Sequence, residues 1–185
     1  MIDDILLEIE DRMDKTVAAL RADLLGIRTG RASPALVERL PVEAYGGMMP
    51  LNQIATIAAP EPRLLTIRPW DASTIGAIAR AILKSDLGLT PNNDGRIIRL
   101  PIPPLPDERR HDLSRMVSRR VEEARVALRN VRRDGLHDLE RLEKEKEISE
   151  DDFFKAKEDL QTLTDDYVAK VDELGELKQA EVMEV

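Results

Sequence analysis

The residues of this sequence best suited to chemistry are arginines. Between Arg109 and Arg133 stand Arg109, Arg110, Arg115, Arg119, Arg120, Arg125, Arg129, Arg132 and Arg133, against only Asp112, Glu122 and Glu123. A guanidinium is a planar fork of donors that matches phosphate oxygens, whereas lysine is a point charge. From Asp134 onward acids dominate, and the chain carries a formal net charge of -8. That average argues against a nucleic-acid partner. The segregation of charge argues the other way, because it concentrates positive potential on one part of the fold. At about 100° per residue, Arg132, Arg125 and Arg129 fall progressively to one side of an apolar stripe centred near Leu128, with Arg110 near the stripe's edge on that side. Their stems can rest on apolar surface while the guanidinium groups face outward. The plainer alternative is a solvated face paired with acids of a neighbouring helix, and Arg115, Arg119 and Arg120 are assigned to it.

Other chemistries find little support. The chain has no cysteine, hence no disulfide and no thiolate nucleophile or ligand, which suits a reducing cytosol. His111 and His137 are the only histidines; both sit in polar helical surroundings without the partners of a triad, and solvent exposure is expected for them. Gly26 and Gly30 are not followed by Gly-Lys-Ser/Thr, so a phosphate-cradling loop is not expected. Glu150, Asp151 and Asp152 suit the first turn of a helix better than a metal. Trp70 and Phe153 are too scattered to form base-stacking platforms. No enzyme, cofactor or metal is expected. The opening Met1-Ile2-Asp3-Asp4 lacks the features of a signal peptide, and no apolar run approaches the roughly 20 residues of a membrane helix. A soluble cytoplasmic protein without a membrane partner is the expectation.

Three long segments carry helical periodicity and must position the arginines. In the first, Ile2, Leu6, Ile9, Met13, Val17, Leu20, Leu24 and Ile27 recur every three or four residues, and Gly30 is expected to stop the helix. In the second, Leu113, Val117, Val121, Ala124, Leu128, Val131, Leu139 and Leu142 follow an Asp107-Glu108 start; it should run about ten turns, with Gly135 as an interruption. The third opens at Ser149, with Asp152 three residues on, and runs through Phe153, Leu160, Leu163, Tyr167, Val171, Leu174 and Leu177. These three predict a bundle, because stripes of such length need partners of like length.

Residues 31–105 read differently, as a small α+β domain inserted into the bundle of 1–30 and 106–185. Alternation marks strands at Leu40–Ala44, Leu65–Ile67 and Ile98–Ile102. Gly46-Gly47, Pro60-Glu61-Pro62 and Asn92–Gly95 mark turns. Ile75, Ile78, Ala79, Ile82 and Leu83 mark one short helix. Two linkers join the domains, one near Gly30-Arg31 and one at Pro101–Pro106, whose prolines favour extended backbone. Arg28 and Arg31 flank Gly30, where they could contact RNA or cap the first helix.

These residues together identify a family. Ile27-Arg28-Thr29-Gly30-Arg31-Ala32-Ser33-Pro34, Lys84 to Gly95, Pro103-Pro104-Leu105 with Glu108-Arg109-Arg110, Val126 to Asp134, and Lys146 to Asp152 resemble the motifs of ribosome recycling factors, in order and over the whole chain. Pro106, where the family usually has threonine, and Gly135 are departures that bear on local helix stability only.

The resemblance implies an L-shaped, non-enzymatic and monomeric protein that bends at a hinge of Gly30, Arg31, Pro103, Pro104, Leu105 and Pro106. It implies binding between ribosomal subunits, the bundle against large-subunit rRNA and the insert toward the small subunit and elongation factor G, whose GTP hydrolysis drives subunit dissociation. It turns Arg28, Arg31, Arg110, Arg125, Arg129, Arg132 and Arg133 into candidate RNA ligands. A helical adaptor or chaperone gripping protein partners is the alternative from another class. Steep salt dependence of binding separates the two.

Overall fold

The structure, a computed structural model, describes residues 1–184. In chain order its elements are α1 (Ile2–Leu25), β1 (Pro41–Ala44), β2 (Gly47–Pro50), β3 (Ala55–Glu61), β4 (Leu64–Pro69), α2 (Ile75–Lys84), β5 (Asn92–Asn93), β6 (Ile98–Pro101), α3 (Asp107–Lys144) and α4 (Glu150–Met183). They form two compact units, Met1–Thr29 with Asp107–Glu184, and Gly30–Pro106.

The first unit is a bundle of α1, α3 and α4. The apolar stripes face inward: Ile9, Met13, Val17, Leu20 and Leu24 from α1, Leu113, Val117, Leu128 and Leu139 from α3, and Phe153, Leu160, Tyr167 and Val171 from α4 are buried. Three expectations are corrected here. Gly30 does not stop α1, which ends at Leu25; the amides of Gly26 and Ile27 take the carbonyls of Ala22 and Leu24 at 3.2 and 3.1 Å. Leaving the helix a turn early lets Ile27 be buried and Thr29 donate its hydroxyl to Glu181 at 2.8 Å. Gly135 does not interrupt α3, whose 38 residues run unbroken. It is instead a contact point: a Cβ there would stand 3.0 Å from two carbons of Ile9. Leu177 is exposed, and the α4 stripe passes through Gly175, where a Cβ would come within 2.7 Å of Val121 Cγ2. Each glycine costs roughly 1 kcal/mol in helix propensity. Each also lets a neighbouring side chain approach where a methyl would stand, as Ile9 of α1 does on α3 and Val121 of α3 does on α4. The start of α4 is as read, with the Ser149 hydroxyl accepting the Asp152 N–H at 3.0 Å and three acids at the positive end of the helix dipole.

The second unit holds an antiparallel hairpin of β1 and β2 and a four-stranded antiparallel sheet in the order β3-β4-β6-β5. Val42, Leu65, Ile67, Ile98 and Leu100 meet Val37, Leu51, Ile78 and Ile82 in its core. Alternation located β1, β4 and β6. It did not locate β2 or β3, because β3 buries only Ala55 and half-buries Ile57. Asn92 and Asn93, read as turn, pair with Arg99 and Ile98, and the turn itself is held by the Asp94 carboxylate accepting from the amides of Arg96 and Ile97. Gly47 opens β2; the turn before it is made by Tyr45 and Gly46 in left-handed backbone, φ 53° and 79°. Leu83 points to solvent. Both ends of the unit are fastened to one turn: the Ala32 N–H donates to Pro62 O at 2.7 Å and the Ile102 N–H to Arg63 O at 2.8 Å. Gly30 takes a left-handed φ of 74°, and a Cβ there would stand 3.0 Å from Leu105 Cγ.

Candidate nucleic-acid interface

Because α3 is continuous, residues at i, i+4 and i+7 share one face, and Arg125, Arg129 and Arg132 form a row along it. Their environments differ. Arg125 is bound to Asp172 of α4, its Nε and Nη2 donating to Oδ1 at 2.8 and 2.6 Å, and it also reaches Glu122 at 3.2 Å. These carboxylates, Asp172 foremost, hold its pKa above the ordinary arginine value. Arg129 donates to Glu122 at 2.7 Å, and Glu122 is lowered by Arg129 first and Arg125 second. Arg132 donates to the amide oxygen of Gln161 at 3.0 Å, a partner without charge. Arg133, the next residue around the helix, is exposed. So the row grades from a guanidinium paired with two carboxylates at Arg125 to one with no ion-pair partner among the described residues at Arg132.

The remaining candidates lie apart from this row. Arg110 is about 22 Å down the helix from Arg125 at 1.5 Å per residue. Its side chain is only 15% exposed, it pairs with Asp107, and its buried Nε has no hydrogen-bond partner among the described residues. Arg28 is exposed beyond the end of α1 in the bundle unit, and Arg31 is exposed in the inserted unit. Backbone amides, not Arg28, close α1. Arg115 and Arg120 pair with Asp112 and Glu123 one turn away along their own helix, not with acids of a neighbouring helix as the plainer reading had it. His111 and His137 are exposed.

One neighbourhood contains residues that charge patterning does not single out. Phe153 is buried in the bundle, but Phe154 is 52% exposed, its ring 5.5 Å from that of Phe153 in an edge-to-face contact. Phe154, Lys157 and Gln161 of α4 face Arg132 and Leu136 of α3 across a groove of about 470 Å³. The available signal was the Phe-Phe pair itself: on a helix only one of two adjacent residues can occupy a narrow stripe.

No cluster of three or more His, Cys, Asp or Glu capable of holding a metal occurs among the described residues, and no described helix is long and apolar enough to cross a membrane. Fold and surface thus define an α+β protein in which a long helical bundle carries a graded arginine row and receives a small sheet-and-helix unit between α1 and α3. The family model for the ribosome recycling factor matches residues 20–183. The ribosome-recycling factors of Roseiflexus castenholzii and Chloroflexus aurantiacus are 58% and 55% identical to this chain over 185 residues, the whole of each protein. A solution structure of the ribosome recycling factor matches with a TM-score of 0.69 and 43% identity, covering 100% of this chain and 98% of that one. A second structure gives models for the T. thermophilus ribosome recycling factor and the E. coli elongation factor G bound to the E. coli post-termination complex; its chain matches with a TM-score of 0.63, 46% identity and full coverage of both. The chain belongs to the ribosome recycling factor family, translation factors that are not enzymes.

Proposed function

We propose that this protein binds the post-termination ribosome in the cytoplasm by laying the Arg125–Arg129–Arg132 row, with Arg133 beside it, on large-subunit rRNA. With elongation factor G and GTP it promotes dissociation into subunits. The observation that carries the RNA contact is the grading of the row. Arg132 spends its fork on a neutral amide, so its charge remains for phosphate, whereas Arg125 must first be drawn from Asp172. The solved relative seen with elongation factor G on a post-termination complex supports the partners.

Two segments of chain, around Gly30-Arg31 and Pro103–Pro106, join the units and serve as the hinge. Proline fixes φ along the second, which leaves fewer freedoms than a glycine-rich linker would. Arg28, Arg31 and Arg110 act as secondary RNA contacts near these crossings.

Cosedimentation with large subunits across a salt series tests the reading. Arg132→Ala should weaken binding more than Arg125→Ala and reduce the salt slope by about 1 with unchanged helicity. Salt-insensitive binding would instead favour a protein-gripping adaptor. Light scattering with elongation factor G and GTP measures splitting, which should fall with the loss of binding.

A further inference from the structure

The groove between α3 and α4 lies at the Arg132 end of the arginine row. Its floor is apolar, made by Leu136 and Leu160, and one edge is the half-exposed ring of Phe154. That ring is steadied by its edge-to-face contact with buried Phe153. Arg132, held in place by Gln161, stands on the α3 side, and Lys157 on α4 has no ion-pair partner among the described residues. Gln161 is itself fixed by donating to Asp165 at 2.8 Å. Glu158 is the one carboxylate in the lining and opposes two cations.

An aromatic face flanked by two cations is the chemistry that holds an unstacked nucleotide, the ring taking the base and the cations its phosphate. Its volume falls within the range of roughly 300–1,000 Å³ typical of small-molecule sites. We propose that this groove receives a single splayed-out base of the bound RNA, stacked on Phe154, with the adjoining phosphate held by Arg132 and Lys157. The proposal rests on the RNA-binding reading of the row and extends it by a contact that is not electrostatic. An acidic protein segment would also satisfy the cations. RNA is favoured because the groove continues the row that ends in Arg132, and an aromatic ring adds little to recognition of a carboxylate.

The test compares variants of the full chain for binding to purified large ribosomal subunits across a salt series. Phe154→Leu keeps the apolar bulk and removes the aromatic face; at a half-exposed site it should leave helicity unchanged. Affinity should fall roughly 5- to 100-fold, with the salt slope preserved because no phosphate contact is lost. Phe154→Trp should keep the parent affinity. Parental binding by Phe154→Leu alongside weakened binding by Arg132→Ala overturns the stacking site and leaves the arginine row standing. Parental binding by both overturns the row as well. As a second arm, p-benzoylphenylalanine in place of Phe154 should crosslink to rRNA on irradiation; crosslinks confined to a ribosomal protein would assign the groove to a protein partner and overturn the proposal.

Discussion

In the bundle, the polar side chains that matter reach across between helices; in the insert most of them stay at home. Arg12 meets Asp134 at 2.8 Å, Tyr167 meets Asp14 at 2.6 Å, and Ser114 meets Gln179 at 2.7 Å, each joining two helices. In the insert, Asp71 accepts from Ser73, Asn93 from Gly95, and Asp94 from Arg96 and Ile97, all within three residues. The reason is where the backbone spends its hydrogen bonds. A helix satisfies its own, so the register between helices has to be set by knobs, glycine notches and side-chain pairs. A sheet fixes register through its ladder, and its side chains are released to shape turns.

If that contrast is right, the units fail separately. Val117→Asp would place a carboxylate at a fully buried bundle position and cost about 4 kcal/mol or more. Ile67→Ala should cost about 3 kcal/mol in the insert. Helicity reports chiefly on the bundle, and Trp70, the only tryptophan, on the insert. In urea each variant should move one probe's midpoint and spare the other; midpoints that shift together would break the comparison.

Glycine substitutions sharpen it. Gly175→Ala should destabilise the bundle by about 1–3 kcal/mol despite alanine's better propensity, because its Cβ meets Val121 at 2.7 Å. Gly76→Ala in α2 meets only the movable Arg80 guanidinium at 3.4 Å and should stabilise the insert by about 0.5 kcal/mol.

Smaller effects follow from titration. Burial and the hydrogen bond to Asp14 hold the Tyr167 phenol above its ordinary value of 10.0. A pKa raised on folding gives stability that is complete below about pH 10 and lost as pH rises beyond it. Tyr167→Phe should therefore cost about 1 kcal/mol at neutral pH and flatten the alkaline fall of the helical signal. In the insert, the amides of Ile97 and Arg96 and the Arg99 guanidinium hold Asp94 down at about 2. A depressed carboxylate stabilises above its ordinary value of 3.8 and loses that contribution as pH falls through about 2. Asp94→Asn should remove that acid dependence from the Trp70 transition by lowering the insert's stability at pH 7, where the carboxylate's contribution is present in full, and change little below about pH 2.

The same contrast decides how much the sequence disclosed. Stripes such as Leu113–Val117–Val121 announce a helix and its inward face together, so the bundle and the arginine row were legible. The glycines were not. Gly135 and Gly175 read as interruptions or as nothing, because their purpose is the partner residue that approaches them. Leu177 and Leu83 were assigned inward by periodicity alone, yet the helix face that meets a neighbour is narrower than the apolar stripe. β3 escaped because its surroundings, not its own pattern, make it a strand. In the candidate site, residue types pointed to Arg125, Arg129 and Arg132 equally; Asp172 and Gln161, distant in sequence, make them unequal.

The two hydrogen bonds that pin Ala32 and Ile102 to the turn at Pro62-Arg63 also bear on how the protein folds. Some eighty residues separate the end of α1 from the start of α3, and bringing the ends of so long a coil together costs entropy before any contact returns it. Once the insert has folded and joined its own ends, that span behaves like a loop of about ten residues, which lowers the closure cost by about 2 kcal/mol. Helices remote in sequence become neighbours in contact order, so an insert that folds first would hasten assembly of the bundle around it.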